Sequence, residues 1–295
     1  MPQAPAEPRV DVDRILLAIG RMESRRVRSE RYENLADAEF RIFSQFGEDG
    51  IIQYLVGKVP IEHETFVEFG VDDYRESNTR FLLSNDNWRG LILDGGTAHV
   101  DYVRSDPIGW RHWIDARSSF VTRNNINAEI AAAGISGDIG LLSVDIDGND
   151  YWVLEAIEVV SPRILIVEYN STFGPDAAVT IPYDPAFDRT RAHPSNLYWG
   201  ASLAAVAMAA DQKGLLLVGS NSAGNNAFFV RRDLLGDLRP LQPSEAWVDA
   251  RFRESRGEAG NLTFIAGREQ RLAAIADMTL VDVRTGTRTT VGSCK

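Results

Sequence analysis

Residues 140–168 read GLLSVDIDGNDYWVLEAIEVVSPRILIVE, and two short apolar runs in them, 140–145 and 163–168, bracket a stretch of helical spacing at 150–158. Strand, helix and strand in that order form the unit from which parallel sheets are built, because two parallel strands need a long crossover between them. The alternation extends in both directions. Strands are predicted at 65–69 (TFVEF), 91–94 (LILD), 111–115 (RHWID), 140–145 (GLLSVD) and 163–168 (RILIVE), and helices near 48–57, 77–85, 97–105, 122–133 and 150–158. Ser77 and Asn149 are predicted helix caps, since a short polar side chain satisfies free amides at a helix start. A helix near 201–213 and then LLLVGSNSAGNNAFFVRR (215–232), two apolar runs around a turn rich in Gly and Asn, predict an antiparallel hairpin at the sheet edge. The fold class is therefore α/β, a mostly parallel sheet with helices on both faces.

Composition agrees with one large core. The chain has 295 residues, 44% of them hydrophobic and 25% charged. Net charge is −11, from 42 acidic and 31 basic residues, which disfavours a nucleic-acid partner because such binding rests on neutralising phosphates. Lysine occurs only at Lys58, Lys213 and Lys295, leaving few candidates for Schiff-base chemistry, and the one cysteine, Cys294, excludes disulfides within the chain. No transmembrane segment and no secretory signal is read from the sequence, so a cytoplasmic location is expected.

Three regions are expected. Residues 1–39 hold a proline-containing tail over 1–9 and an amphipathic helix from Val12 to about Arg31, its apolar face Val12, Ile15, Leu16, Ile19 and Met22. That helix packs on the domain or on a second subunit in a homo-oligomer; Arg21, Arg25, Arg26 and Arg28 leave a membrane surface open. Residues 40–235 form the main domain. Within it 171–199 has four prolines and no periodicity, which reads as a substrate lid. Residues 236–295 are an extension with strands at 263–265 and 279–283 and a helix at 268–276.

The strand ends carry the chemistry. Glu68, Asp94, Asp115, Asp145 and Glu168 stand at or next to the ends of the five predicted strands, and the ligand crevice of an open parallel sheet lies beyond those ends. Gly70 follows Glu68 by two places, where a missing side chain lets the backbone approach a ligand. No G-x-G-x-x-G opens the next helix, so a pyrophosphate cradle is absent. Asp94 lies 94 − 70 = 24 residues past Gly70, near the ~20 at which an acid meets a ribose. Asp115 is placed for an adenine amine. A nucleoside without phosphates describes S-adenosylmethionine. His193 in the lid is a candidate base, and Phe173, Tyr183, Phe187, Tyr198 and Trp199 could line an acceptor.

These residues carry a resemblance. Gln45-Phe46-Gly47-Glu48-Asp49-Gly50, FVEFGVDDYRESNT, GLILDG, SVDIDGNDYWVLEAI, ILIVEYN, YWGASL and GNNAFFVRRDL resemble class I S-adenosylmethionine-dependent methyltransferases of the FkbM-like branch, over about 40–235. The resemblance implies a Rossmann-like seven-stranded sheet with an antiparallel last strand. It also implies donor contacts at the Glu68-Phe69-Gly70 turn, Asp94 and Asp115; Asn78 and Asp145 are further candidate donor contacts, and Asp145 joins His193 as a catalytic candidate. The departure lies at Val71-Asp72-Asp73, which replaces the usual glycine-rich run.

Asp145, Asp147, Glu168 and Asn170 offer hard oxygen ligands suited to Mg²⁺ or Mn²⁺. The arrangement also resembles metal-dependent small-molecule O-methyltransferases, in which such an ion binds the acceptor hydroxyls. Alternatively Asp147, Asn149 and Asp150 only shape a turn and cap a helix. The expected function is methylation of an oxygen on a sugar, glycan or small natural product. Two alternatives stay open: Asp145-Ile146-Asp147 is the D-x-D of metal-dependent glycosyltransferases, and a non-catalytic nucleoside-binding scaffold would show the same crevice.

Overall fold

The computed structural model describes residues 12–251 and 253–293; the tail over 1–9 and Cys294 lie outside them. Helix α1 spans Val12–Ser29, α2 Glu48–Lys58, β1 Thr65–Phe69, α3 Arg80–Asp86, β2 Arg89–Asp94, α4 Thr97–Ser105, α5 Ile108–Arg111 and β3 Ile114–Ser118. Then come α6 Ile126–Ala132, β4 Gly137–Val144, α7 Asp150–Ala156, β5 Val160–Glu168, β6 Val179–Thr180, α8 Arg189–Ala192 and α9 Leu203–Gln212. The chain continues with β7 Leu215–Ser220, β8 Asn226–Arg231, α10 Pro243–Ala246, α11 Arg268–Ala274, β9 Thr279–Asp282 and β10 Arg288–Thr290.

Seven strands form one sheet in the order β3-β2-β1-β4-β5-β8-β7. The strand pairs from β3 through β5 are parallel, and β8 runs antiparallel to both β5 and β7. The predicted Rossmann-like sheet with its antiparallel hairpin is thus the observed one. Alternation explains why both faces are covered. Phe66, Ile92, Leu141, Ile164 and Phe228 point into a core with α2, α3 and α4, whereas Val67, Leu93, Leu142, Leu165 and Phe229 point into a second core with α6, α7 and α9. Successive strand residues face opposite sides, so near-continuous apolar runs such as ILIV are what two covered faces require.

Differences from the predicted elements have physical causes. β3 is Ile114–Ser118 rather than 111–115, because its sequence IDARS is polar, as an edge strand allows. β5 begins at Val160 and contains Pro162, which pairs with Ile139 of β4 before pairing with β8 starts at Ile164; a proline needs such a half-free position. Of the two predicted caps, Ser77 accepts at 3.3 Å from the amide of Arg80, the first residue of α3, whereas Asn149 precedes α7 without a side-chain cap and its amide donates to the carbonyl of Asp184. The predicted strand at 263–265 is absent; only an isolated bridge joins Arg256 and Leu262.

Segment 171–199 is largely packed. Its Phe173, Val179, Ile181, Leu197 and Tyr198 share an apolar cluster with Ile275, Leu280 and Val291, and β6 pairs antiparallel with β9 in a three-stranded sheet. α1 docks through Gly20, Ser24 and Val27, while Val12, Ile15, Ile19 and Met22 are exposed. Among the described residues no helix is long and apolar enough to cross a membrane.

Candidate active site

A crevice of about 420 Å³ opens beyond the C-terminal ends of β1 to β5. Glu68, Gly70, Asn78, Asp94, Asp145, Asp147 and Glu168 all line it. The turn after β1 is built of left-handed backbone at Gly70, Asp72 and Tyr74, with φ of 67°, 46° and 61°. Gly70 is required twice over: its φ suits glycine, and a Cβ there would lie 1.8 Å from the carbonyl oxygen of Asp145. β1 and β4 thereby approach closely under the crevice floor. The non-glycine residues held left-handed at the rim, Asp147 included at φ 54°, carry a cost that functional sites commonly bear.

Three acids are tied to backbone. Glu68 accepts from the amides of Asn78 (2.8 Å) and Thr79 (3.1 Å) and from the Thr79 hydroxyl, which fixes the chain entering α3. Asp94 accepts from the amides of Asp72 (2.9 Å) and Gly96 (2.7 Å), and the Nδ1 of His99 lies 3.0 Å away. Asp150, fully buried, accepts from the amides of Ile146 (2.7 Å) and Gly148 (3.0 Å) and so shapes the D-x-D turn. These backbone N–H groups at the strand ends, the kind that cradle a phosphate elsewhere, are spent on carboxylates.

The crevice is strongly anionic. Eight acidic side chains line it against one basic, Arg75, which is itself paired with Asp73. Asp145 and Glu168 are both pushed well above the carboxylate range, first by burial and then by the charge of neighbouring acids. Burial pushes Asp150 up to about 6 and Glu68 up to about 7, against the hydrogen bonds that favour their ionised forms.

The Glu68 shift has a measurable consequence. Its carboxyl rises from 4.5 to about 7 on folding, so the native state binds its proton more tightly than the unfolded chain. The stabilisation is complete below about 4.5 and lost as pH rises through about 7. Urea unfolding of the wild type and Glu68→Gln at several pH values should show their stability difference shifting against the wild type by up to roughly 3 kcal/mol over that window. A pH-independent difference would contradict it.

Three nominated residues do not reach the crevice. Asp115 sits near the start of β3, where its carboxylate pairs with Arg117; the real strand end presents Ser119, Phe120 and Val121 instead. Asn170 turns its amide to the carbonyls of Leu197 and Trp199, both at 3.0 Å, and its oxygen to the amide of Thr172. His193 faces the hydroxyl of Ser195 at 2.7 Å, away from the acids.

The four nominated metal ligands consequently do not converge. Besides the inward-turned Asn170, Asp147 is ion-paired at 2.5 Å with Arg189, whose guanidinium stacks 4.8 Å over the Trp199 ring. A fixed cation thus occupies the place where a divalent ion's charge would be needed. The residues do not fit a metal centre.

No protein-family model matches the chain, and no curated protein matches it. Among solved structures it is similar to TrmK of M. capricolum in complex with S-adenosyl-homocysteine, at 9% identity over 58% of this chain and 63% of that one, with a TM-score of 0.35. It is similar to the N-terminal domain of EvdMO1 with S-adenosyl-homocysteine bound, at 12% over 71% and 94%, TM-score 0.41. An O-methyltransferase from Bacillus cereus in complex with the same compound matches at 11% over 78% and 84%, TM-score 0.37.

Sequence reasoning missed Phe120 and Asn226. Phe120 is half exposed at the rim, with its ring 3.4 Å from where a Cβ on Gly95 would stand, so a side chain at that position would touch the ring. Its signal was an apolar residue just past an acid-free strand end. Asn226 opens β8 opposite Glu168 in register, and only the antiparallel placement of β8 brings it to the crevice.

Proposed function

We propose that the protein is an S-adenosylmethionine-dependent methyltransferase acting on a hydroxyl of a sugar or small natural product. The observation that carries this reading is the crevice itself: acids at the ends of parallel strands, with the neighbouring backbone amides already taken. A dinucleotide or a nucleotide diphosphate sugar needs free amides or cations for its phosphates, whereas here Glu68, Asp94 and Asp150 each hold two backbone amides and Arg75, the one basic side chain lining the crevice, is paired with Asp73. A cationic, phosphate-free nucleoside suits it. The D-x-D reading is disfavoured for the same reason, since Asp147 is held by Arg189 rather than free for a metal and diphosphate.

Roles follow from position. Gly70 and Glu68 form the turn against which the donor's amino-acid part would lie, Asp94 has lone pairs left for ribose hydroxyls, and Phe120 offers its face to a flat ring. When bound, the donor supplies an electrophilic methyl on a sulfonium. Asp145, at the junction of the two halves, is the group we assign to receive the acceptor's proton, in place of His193. The remaining work is alignment, because in-line displacement needs the two reacting atoms held on one axis.

We propose that no divalent ion takes part. Activity should be unchanged by EDTA and unresponsive to added Mg²⁺ or Mn²⁺; loss in chelator with recovery on adding Mg²⁺ would overturn that part. The function is tested by incubating the protein with methyl-labelled S-adenosylmethionine and a panel of sugars, glycans and hydroxylated natural products. Label entering an acceptor in the wild type and not in Asp145→Asn supports the reading. No transfer to the panel or to water-soluble cell extract, with donor left intact, counts against it.

A further inference from the structure

Two buried amides on the crevice wall have their polarity set from behind. The Nδ2 of Asn226 donates to Oε1 of Glu48 at 3.0 Å, and the Nδ2 of Asn149 donates to the carbonyl of Asp184 at 2.7 Å. Both partners are acceptors only, since the other oxygen of Glu48 already accepts from the amides of Phe46 and Gly47, each at 2.9 Å. The amides therefore cannot flip, and Oδ1 is the free atom of each. Glu168 stands beside Asn226 in strand register.

Oδ1 of Asn226, Oδ1 of Asn149 and Oε2 of Glu168 meet no donor, and their residues are 3%, 4% and 6% exposed. Leaving buried acceptors unmet is costly, about 1–3 kcal/mol each, so such atoms mark where a ligand supplies hydrogens. Nδ2 of Asn78, which also lines the crevice, is spent on Ser143 at 3.0 Å. The free oxygens of Asn226 and of the Glu168 carboxyl group, neighbours in strand register, suit a group with several N–H bonds and a positive charge. A hydroxyl offers one hydrogen, and a phosphate or carboxylate is repelled.

We propose that this end of the crevice binds a protonated primary amine carried by the methyl acceptor. The proposal rests on the donor reading above. An ammonium has no lone pair, so it is the anchor and not the nucleophile; the methylated oxygen lies elsewhere on the same molecule. The acceptor class is thus an amino sugar or a comparable hydroxylated amine.

The test is calorimetry on protein saturated with S-adenosylhomocysteine, with D-glucosamine, D-glucose and MgCl₂ as probes. Glucosamine should bind about ten-fold or more tighter than glucose. Glu168→Gln and Asn226→Ala should each remove most of that preference while leaving S-adenosylhomocysteine affinity unchanged. Equal binding of the two sugars, a preference that survives both substitutions, or Mg²⁺ displacing glucosamine would overturn the proposal. A fall in S-adenosylhomocysteine affinity in Glu168→Gln would also overturn it, by showing that the donor's own ammonium fills the place. Wild-type protein that takes up no S-adenosylhomocysteine refutes the donor reading instead; the sugar comparison is then read on the free protein.

Discussion

Gly70→Ala is expected to destabilise the protein by roughly 3–5 kcal/mol and to remove donor binding. The added carbon would meet the carbonyl of Asp145 at 1.8 Å, and backbone on both sides leaves no flexible side chain to yield. The left-handed φ of 67° adds about 1–2 kcal/mol for an L residue. Gly70 donates to the carbonyl of Leu93 at 3.0 Å, so forcing β1 from β4 also disturbs the end of β2 where Asp94 stands. Urea unfolding and S-adenosylhomocysteine calorimetry on the variant check both parts. Wild-type stability with wild-type binding would mean that β1 and β4 do not approach as described.

Asp94→Ala is the second large effect. Its carboxylate holds the amides of Asp72 and Gly96, which belong to two different loops at the mouth of the crevice, and it alone among the strand-end acids has an imidazole beside it. Truncation should weaken the donor by roughly 1.5–3 kcal/mol through the lost ribose contact, as for a hydrogen bond to a charged group. The freed loops add to that loss. Asp94→Asn, which keeps an acceptor oxygen but loses the charge, should fall between. Unchanged affinity in Asp94→Ala would remove Asp94 from the ribose assignment.

Much of this was legible because parallel strands buried on both faces leave unmistakable apolar runs. TFVEF at 65–69 and the helix at 97–105 have the boundaries read from the sequence. The convergence of Glu68, Asp94, Asp145 and Glu168 follows from strand ends alone. What stayed hidden has one cause, that the sequence pattern does not report partners. IDARS carries no apolar signal because β3 is an edge, and Asp115 was therefore placed at the wrong end of its strand. Nothing local distinguishes Asn170, whose amide braces 197–199, from an amide free to bind a ligand. Arg189 was one arginine among many, yet its pairing with Asp147 takes that residue out of the expected ligand set. The prolines of 171–199 suggested an unstructured lid, while the burial of Phe173, Ile181 and Tyr198 depends on residues about a hundred positions away.

The anionic character of the crevice explains why fold alone does not decide its ligand. Sheets of this kind bind phosphates where glycine-rich turns leave amides free, and here Glu68, Asp94 and Asp150 consume those amides one pair each. On the proposed reading, selectivity for a positively charged nucleoside would follow from the same contacts that hold the loops in place.

The most direct measurement is paired calorimetry on the wild-type protein with S-adenosylhomocysteine and with UDP-glucose. Saturable one-to-one heat with the first and none with the second is the predicted result. Heat with UDP-glucose and none with S-adenosylhomocysteine would contradict the account at its centre.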